Sequence, residues 1–283
     1  MMFLLQSLNN FLAGSNIRVE NGRNEIKVHL DPNGTKKIMD TSRGELLELK
    51  NKETAKALPG ADFVVISFRK GVITITIHAA DKAKIEREYN FIQKLKNGIP
   101  LRKGCFFSGL GMLSFSLGEG LSKAGFDTEI AFANDNNEIA MECNLEGNPM
   151  WENPTDDALA VVDDINNLFN YSIPKFDIGV VSYPCVAFSA LGDKNSKDLN
   201  HPQCGTLFIA LINELKKANP AVIVFENTPR FGESQTLELI TKSFPDYNFS
   251  QKVFDGHDFN DLESRKRVCV IATSKGLPEF ELD

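Results

Sequence analysis

The chain has 283 residues, 42% of them apolar, a formal net charge of −7 and five cysteines. That length and apolar share suit a globular protein with one large domain, or a large one and a small one. An odd, irregularly spaced set of cysteines excludes a disulfide framework and fits a reducing cytoplasm. The acidic balance excludes a protein that holds a polyanion by overall charge alone.

The charge is uneven. Residues 1 to 100 carry 16 Lys and Arg against 11 Asp and Glu, a net +5, and residues 101 to 283 carry 15 against 27, a net −12. The amino terminus, MMFLLQSLNNFLAG, has no basic segment before its apolar residues, and no apolar run approaches the roughly 20 residues of a membrane span. Phe3, Leu4, Leu8, Phe11 and Leu12 are expected to line one face of a short docking helix. Asn33-Gly34-Thr35 reads as a turn, since glycosylation needs a secreted chain. Residues 1 to 100 are predicted to form a small α+β module. Its runs are EIKVHL, the turn DPNG, TKKIMD, and then DFVVISF and VITITIH across the turn RKG, a hairpin pattern. Asp81 is expected to cap a helix in which Ile85, Tyr89, Ile92 and Leu95 share a face and Gly98 is the stop. No motif in this module carries evident chemistry.

From residue 101 to 283 strands and helices alternate. CFFSG, TEIAFAND, ALAVVDDI, FDIGVVSY, AVIVFEN and RVCVIAT read as apolar strands buried on both faces. TLFIALINELKKA repeats leucines at 207, 211 and 215 and ends before Asn219-Pro220. The pattern predicts an α/β fold, a largely parallel Rossmann-like sheet with helices on both faces.

Phe107-Ser108-Gly109-Leu110-Gly111 follows the first of these strands and opens a helix carrying Leu113, Leu117 and Leu121. Glycines there let a ligand approach the backbone at a helix amino terminus. The third glycine of a dinucleotide fingerprint is lacking, which disfavours a nicotinamide site. The next strand ends in Asn134-Asp135, where an acid can hydrogen-bond ribose hydroxyls, and the third ends in Asp163-Asp164-Ile165, a second acceptor. Together these favour a nucleoside cofactor. In FDIGVVSYPCVAFSALG, Pro184 cannot continue a strand ladder, so Cys185 falls where the chain leaves the sheet. Alone, such a cysteine reads as an inert small hydrophobe or as a nucleophile. His201 and Cys204 have no second pair at zinc-like spacing, so no metal site is expected.

In chain order FSGLG (107–111), AND (133–135), DI (164–165), PCVAFS (184–189), FEN (225–227) and ESRKR (263–267) resemble the successive motifs of the cytosine-5 methyltransferases that act on DNA. The resemblance covers residues 101 to about 275. A small module ahead of this domain is also similar to the front half of larger cytosine methyltransferases carried by bacterial plasmids and integrative elements. The resemblance implies S-adenosylmethionine as cofactor. Phe107, Gly109 and Gly111 would form the turn around its methionine and sugar, Asp135 would hold the ribose and Asp164 the adenine, with Ile165, Pro184 and Leu207 lining the pocket. It implies Cys185 as the nucleophile that adds to carbon 6 of cytosine, because carbon 5 is too poor a nucleophile to take a methyl group unaided. Glu226 would act at N3, kept protonated by burial, Arg265 would reach O2, and Arg267 would hold the loop or a phosphate. Glu226 could instead be a buried acid held by local backbone, and Asn227 is expected to support the loop.

Three positions depart from the family pattern: Cys105 stands for an acid, Val186 for a glutamine and Glu263 for a glutamine. The chain ends at Asp283, after RVCVIAT, without the variable target-recognition domain or the last two family motifs. The expectation is therefore a fragment, or a split enzyme of restriction-modification type whose other polypeptide supplies those parts, with DNA as substrate and no membrane partner. The alternatives are a transfer-RNA cytosine methyltransferase and a non-catalytic, cofactor-binding regulatory subunit.

Overall fold

The computed structural model describes residues 2–5, 11–189, 195–280 and 282. The chain divides into two compact units, Met1–Ile85 and Glu86–Asp283.

In the first unit β1 (Met2–Leu5), β2 (Asn16–Gly22), β3 (Glu25–Leu30), β4 (Lys36–Lys37), β5 (Met39–Thr41) and β6 (Gly44–Glu48) precede the short helix α1 (Lys52–Ala57). The hairpin β7 (Val64–Arg69) and β8 (Val72–Ile77) follows, closed by Lys70-Gly71 as the sequence predicts. Two sheets result, ordered β1-β6-β5 and β4-β2-β3-β8-β7. Alternation decides their buried faces. Ile26 and Val28 of β3 and Ile73, Ile75 and Ile77 of β8 form one core with Phe11, Ile17, Ile38 and Leu47. The predicted amino-terminal helix is not found among the described residues. Met2–Leu5 is a strand paired antiparallel with Glu45–Glu48, Leu12 is exposed, and Leu8 lies outside the described residues. TKKIMD divides at buried Ile38 between the two sheets.

The division falls inside α2 (Ala79–Asn97), not after residue 100, because Ile85 packs on the first core while Phe91, Ile92 and Leu95 belong to a core of the second unit. Asp81 does not cap this helix. It is buried within the first turn, where its carboxylate accepts from the Phe63 amide at 2.6 Å.

The second unit contains β9 (Leu101–Phe106), α3 (Met112–Lys123), β10 (Thr128–Asp135), α4 (Glu138–Gly147), β11 (Pro154–Val162), β12 (Ile178–Val181), α5 (Leu207–Ala218), β13 (Val222–Asn227), α6 (Gln235–Ser243), β14 (Tyr247–Asp255) and β15 (Lys266–Ser274). They form a seven-stranded sheet ordered β11-β10-β9-β12-β13-β15-β14. The first five strands are parallel, and β15 runs antiparallel to both its neighbours. Successive strand residues serve opposite faces. Phe106, Phe132, Val181 and Phe225 pack with Leu211 and Leu215 of α5 and Leu237 and Ile240 of α6. Cys105, Ala133, Val180 and Val224 join Met141 of α4, with Leu113, Leu117 and Leu121 of α3 packed against them. Burial on both faces explains the continuous apolar runs. The strand order reverses direction between β9 and β12, which puts a crevice at the carboxyl ends of those two strands.

Candidate active site at the strand ends

Parallel pairing brings the carboxyl ends of β11, β10, β9, β12 and β13 side by side. Asp135 is in register with Val162, Phe106 with Asn134 and with Val181, and Val181 with Phe225. At about 4.8 Å per strand, the segments bearing Asp164, Asp135, Phe107 to Gly111, Cys185 and Glu226 form one continuous edge.

The β9 turn is a backbone cradle. Phe107, Gly109 and Gly111 all have left-handed φ, +53°, +52° and +76°. A Cβ on Gly109 would meet nothing within 4 Å, so this peptide is open to a ligand. A Cβ on Gly111 would lie 2.5 Å from Asn148 Nδ2 and 2.7 Å from Asn144 Oδ1. These two asparagines hold the turn from beneath. Asn144 Nδ2 donates to Ser108 Oγ at 3.0 Å and to the Gly109 carbonyl at 2.8 Å, Asn148 Nδ2 donates to the Leu110 carbonyl at 2.8 Å, and Trp151 Nε1 donates to Asn144 Oδ1 at 3.1 Å. Sequence reading missed all three residues. The available signal was two asparagines four apart, one in the last turn of α4 and one directly after it.

Asp135 closes the cradle, its carboxylate accepting from the Gly109 amide at 2.8 Å and the Asn137 amide at 2.9 Å. Buried Asn134 bonds the carbonyls of Val161 and Asp163, tying β10 to the end of β11. Asp164 is half-buried and caps the following helical turn by accepting from the Asn166 amide. Asp163 is committed elsewhere: Asn167 Nδ2 and the Tyr171 hydroxyl hold its carboxyl below the usual carboxylate range. Ile165 is buried in the core beside Leu168, and Leu207 is half-buried at the start of α5 against the same core.

Cys185 opens a one-turn helix, Cys185–Ala187, directly after Pro184, and is exposed. Asn227 lies under this segment, donating from Nδ2 to the Tyr183 carbonyl at 2.8 Å and accepting from the Thr228 amide. Glu226 is not sealed from solvent as the sequence reading expects. Its side chain is 34% exposed and its Oε1 accepts from Arg267 Nε at 2.9 Å, because β15 runs antiparallel beside β13 with Cys269 opposite Glu226. Arg267 thus faces this carboxylate, while Arg265 is exposed, two residues back on the approach to β15. No group of three or more metal-ligating side chains occurs among the described residues. His201 Nδ1 accepts from the Cys204 amide at 3.1 Å, a local turn contact. Among the described residues no helix is long and apolar enough to cross a membrane.

The edge therefore has a backbone cradle with acids on one side and a cysteine with a carboxylate–guanidinium pair on the other. An open glycine peptide and a strand-end acid fit the sugar and methionine of an S-adenosylmethionine molecule, the methyl donor of the family found by sequence comparison. Residues 104–282 match the C-5 cytosine-specific DNA methylase family. The chain is similar to the type II methyltransferase M.HhaI of Haemophilus parahaemolyticus, 30% identical over 113 residues, covering 38% of this chain and 34% of that protein. M.NlaIV of Neisseria lactamica is 29% identical over 132 residues, covering 42% of this chain and 30% of its own. The alignments thus span about a third of these relatives. Among solved structures the Dnmt2 methyltransferase of S. pombe aligns with a TM-score of 0.47 at 22% identity, covering 65% of this chain and 52% of that one. With its family match running from the middle of β9 to the end of the sheet, the chain belongs to the C-5 cytosine-specific DNA methylases.

Proposed function

We propose that the chain transfers a methyl group to carbon 5 of cytosine in DNA through a covalent adduct on Cys185. The observation that carries this reading is the placement of an exposed Cys185 and the Glu226–Arg267 pair on adjacent strand ends, next to the glycine cradle. Bound S-adenosylmethionine supplies the electrophilic methyl group. Gly109 and Gly111 offer it the cradle backbone, Asp135 the ribose acceptor and Asp164 the adenine acceptor, with Phe107 and Pro184 at the rim.

The Cys185 thiolate adds to carbon 6, forming the S–C bond and pushing electrons toward carbon 5 and N3. The Glu226 carboxyl donates a hydrogen bond from its second oxygen to N3 as that charge develops, while its Oε1 accepts from Arg267 Nε. Exposed Arg265 reaches O2 of the base. Carbon 5 would take the methyl group, leaving S-adenosylhomocysteine, and its proton would pass to water as the ring expels the thiolate and regains aromaticity. In a duplex the base must first leave the stack, at a cost of a few kcal/mol.

The second unit holds 18 Lys and Arg against 29 Asp and Glu, a net −11, so it does not attract DNA by overall charge. We propose that a separate polypeptide bearing a target-recognition region supplies that attraction and the choice of site. The test offers the chain labelled S-adenosylmethionine with cytosine-containing duplex DNA or with transfer RNA, at low salt. Label on DNA cytosine, lost in Cys185→Ala, is the expected result. Label on RNA alone, or transfer undiminished in Cys185→Ala, overturns the reading.

A further inference from the structure

Tyr183 directly precedes Pro184-Cys185 and is only 3% exposed. It is held at three points. Its hydroxyl donates to the Cys204 carbonyl at 2.5 Å, and its own carbonyl accepts from Asn227. Its ring meets Phe107 of the cradle edge-on at 5.2 Å and stacks on Phe231 at 6.2 Å. Burial pushes the hydroxyl far above the ordinary phenol range, so it remains a donor at any working pH.

The acceptor is itself fixed. Cys204 lies just before α5, and its carbonyl also accepts from the Leu207 amide at 3.3 Å. His201 Nδ1 accepts from the Cys204 amide at 3.1 Å, closing the turn between residues 201 and 204. Three residues earlier Asp198, at a left-handed φ of +51°, docks this turn on the amino end of α6. Its carboxylate accepts from the Gln235 amide at 2.6 Å, the Thr236 amide at 3.1 Å and the Thr236 hydroxyl at 2.6 Å.

A phenylalanine would fill the same aromatic cluster without burying a hydroxyl, and the Cys204 carbonyl already has an amide donor. The hydroxyl is therefore not needed for packing or for satisfying that carbonyl. What it adds is a fixed link between the strand exit bearing Cys185 and the start of α5, where the hydroxyl oxygen also takes the Phe208 amide.

We propose that Tyr183 is a positioning residue: its hydroxyl bond to Cys204, anchored through Asp198 on α6, sets where Cys185 stands relative to the cradle. This rests on the reading of Cys185 as the nucleophile. The test uses the full chain, wild type, Tyr183→Phe and Asp198→Asn, with S-adenosylmethionine and a duplex containing 5-fluorocytosine. Fluorine cannot leave as a proton, so the adduct accumulates and its rate is read directly. Cofactor affinity and melting temperature are measured alongside. The expected result is adduct formation at least ten-fold slower in Tyr183→Phe and a few-fold slower in Asp198→Asn, with cofactor affinity within two-fold of wild type. Unchanged rates in both variants overturn the inference alone. Slowing that merely parallels lost cofactor binding and lower melting temperature also overturns it, since that marks a structural role. Absence of adduct in the wild type overturns the functional reading, and this inference with it.

Discussion

The two halves of the strand-end edge are built differently. The cradle half, from β11 to β9, is made of backbone held by buried asparagines, with Asn134, Asn144 and Asn148 all buried and bonded to main-chain carbonyls. The cysteine half, from β12 to β15, is made of side chains that reach solvent: Cys185, Glu226, Arg265 and Arg267. Buried polar groups with all partners satisfied keep one geometry. Exposed ion pairs hold little energy, typically about 0.2–1 kcal/mol. The first half is pre-organised by folding. The second is left open to solvent.

The sharpest way to break this contrast is Cys185→Ala. Methyl transfer is expected to fall by about three orders of magnitude or more, as for loss of a covalent nucleophile. Melting temperature and cofactor affinity should hold, because the side chain is exposed. Calorimetric titration beside a transfer assay checks both halves at once.

Gly111→Ala should do the reverse. Its Cβ has no room against Asn144 and Asn148, and its φ of +76° is strained for alanine. A loss of roughly 2–4 kcal/mol in stability is expected, with cofactor binding weakened more than ten-fold. Gly109→Ala, with open space around it, should cost only about 1–2 kcal/mol from its left-handed backbone. Equal losses in thermal denaturation would mean that the asparagine buttress does not hold the turn.

Asn144→Ala removes two donors and one acceptor from a fully buried position and is expected to cost about 1–3 kcal/mol. Arg267→Ala is expected to change stability by no more than about 1 kcal/mol, yet to lower kcat about ten-fold by releasing Glu226. A larger effect on melting temperature than on kcat would move Arg267 from the chemistry to the scaffold.

The smallest effect separates the cysteines. Burial pushes the Cys105 thiol up to about 11. Its thiolate, and hence its alkylation, should appear only as pH rises toward that value. Exposed Cys185 and Cys143 are open to the reagent and should be alkylated before it. Site-resolved alkylation between pH 7 and 10 checks the order.

Much of this was legible in the sequence, for local reasons. Continuous apolar runs mark strands buried on both faces, so TEIAFAND and AVIVFEN map onto β10 and β13 almost residue for residue. Glycines after a strand and a proline before a cysteine mark where a chain must turn, which placed Gly109, Gly111 and Cys185 at strand ends. What the sequence could not carry was non-local. Met2–Leu5 is a strand because Gly44–Glu48 offers it a partner some forty residues away; its own pattern reads equally well as a helix. The edge strand β14, half-buried along much of its length, has no periodic pattern to announce it. Glu226 looked like a sealed acid because VIVFEN is apolar, but its exposure and its partner Arg267 depend on β15 returning antiparallel beside β13. The amide buttress under the glycine turn and the Tyr183 hydroxyl bond to Cys204 join residues separated by 21 to 38 positions. Periodicity and turn chemistry act within a few residues and so determined the strands and the turn. Register and helix docking act across the whole unit, and they alone decided which side chains meet.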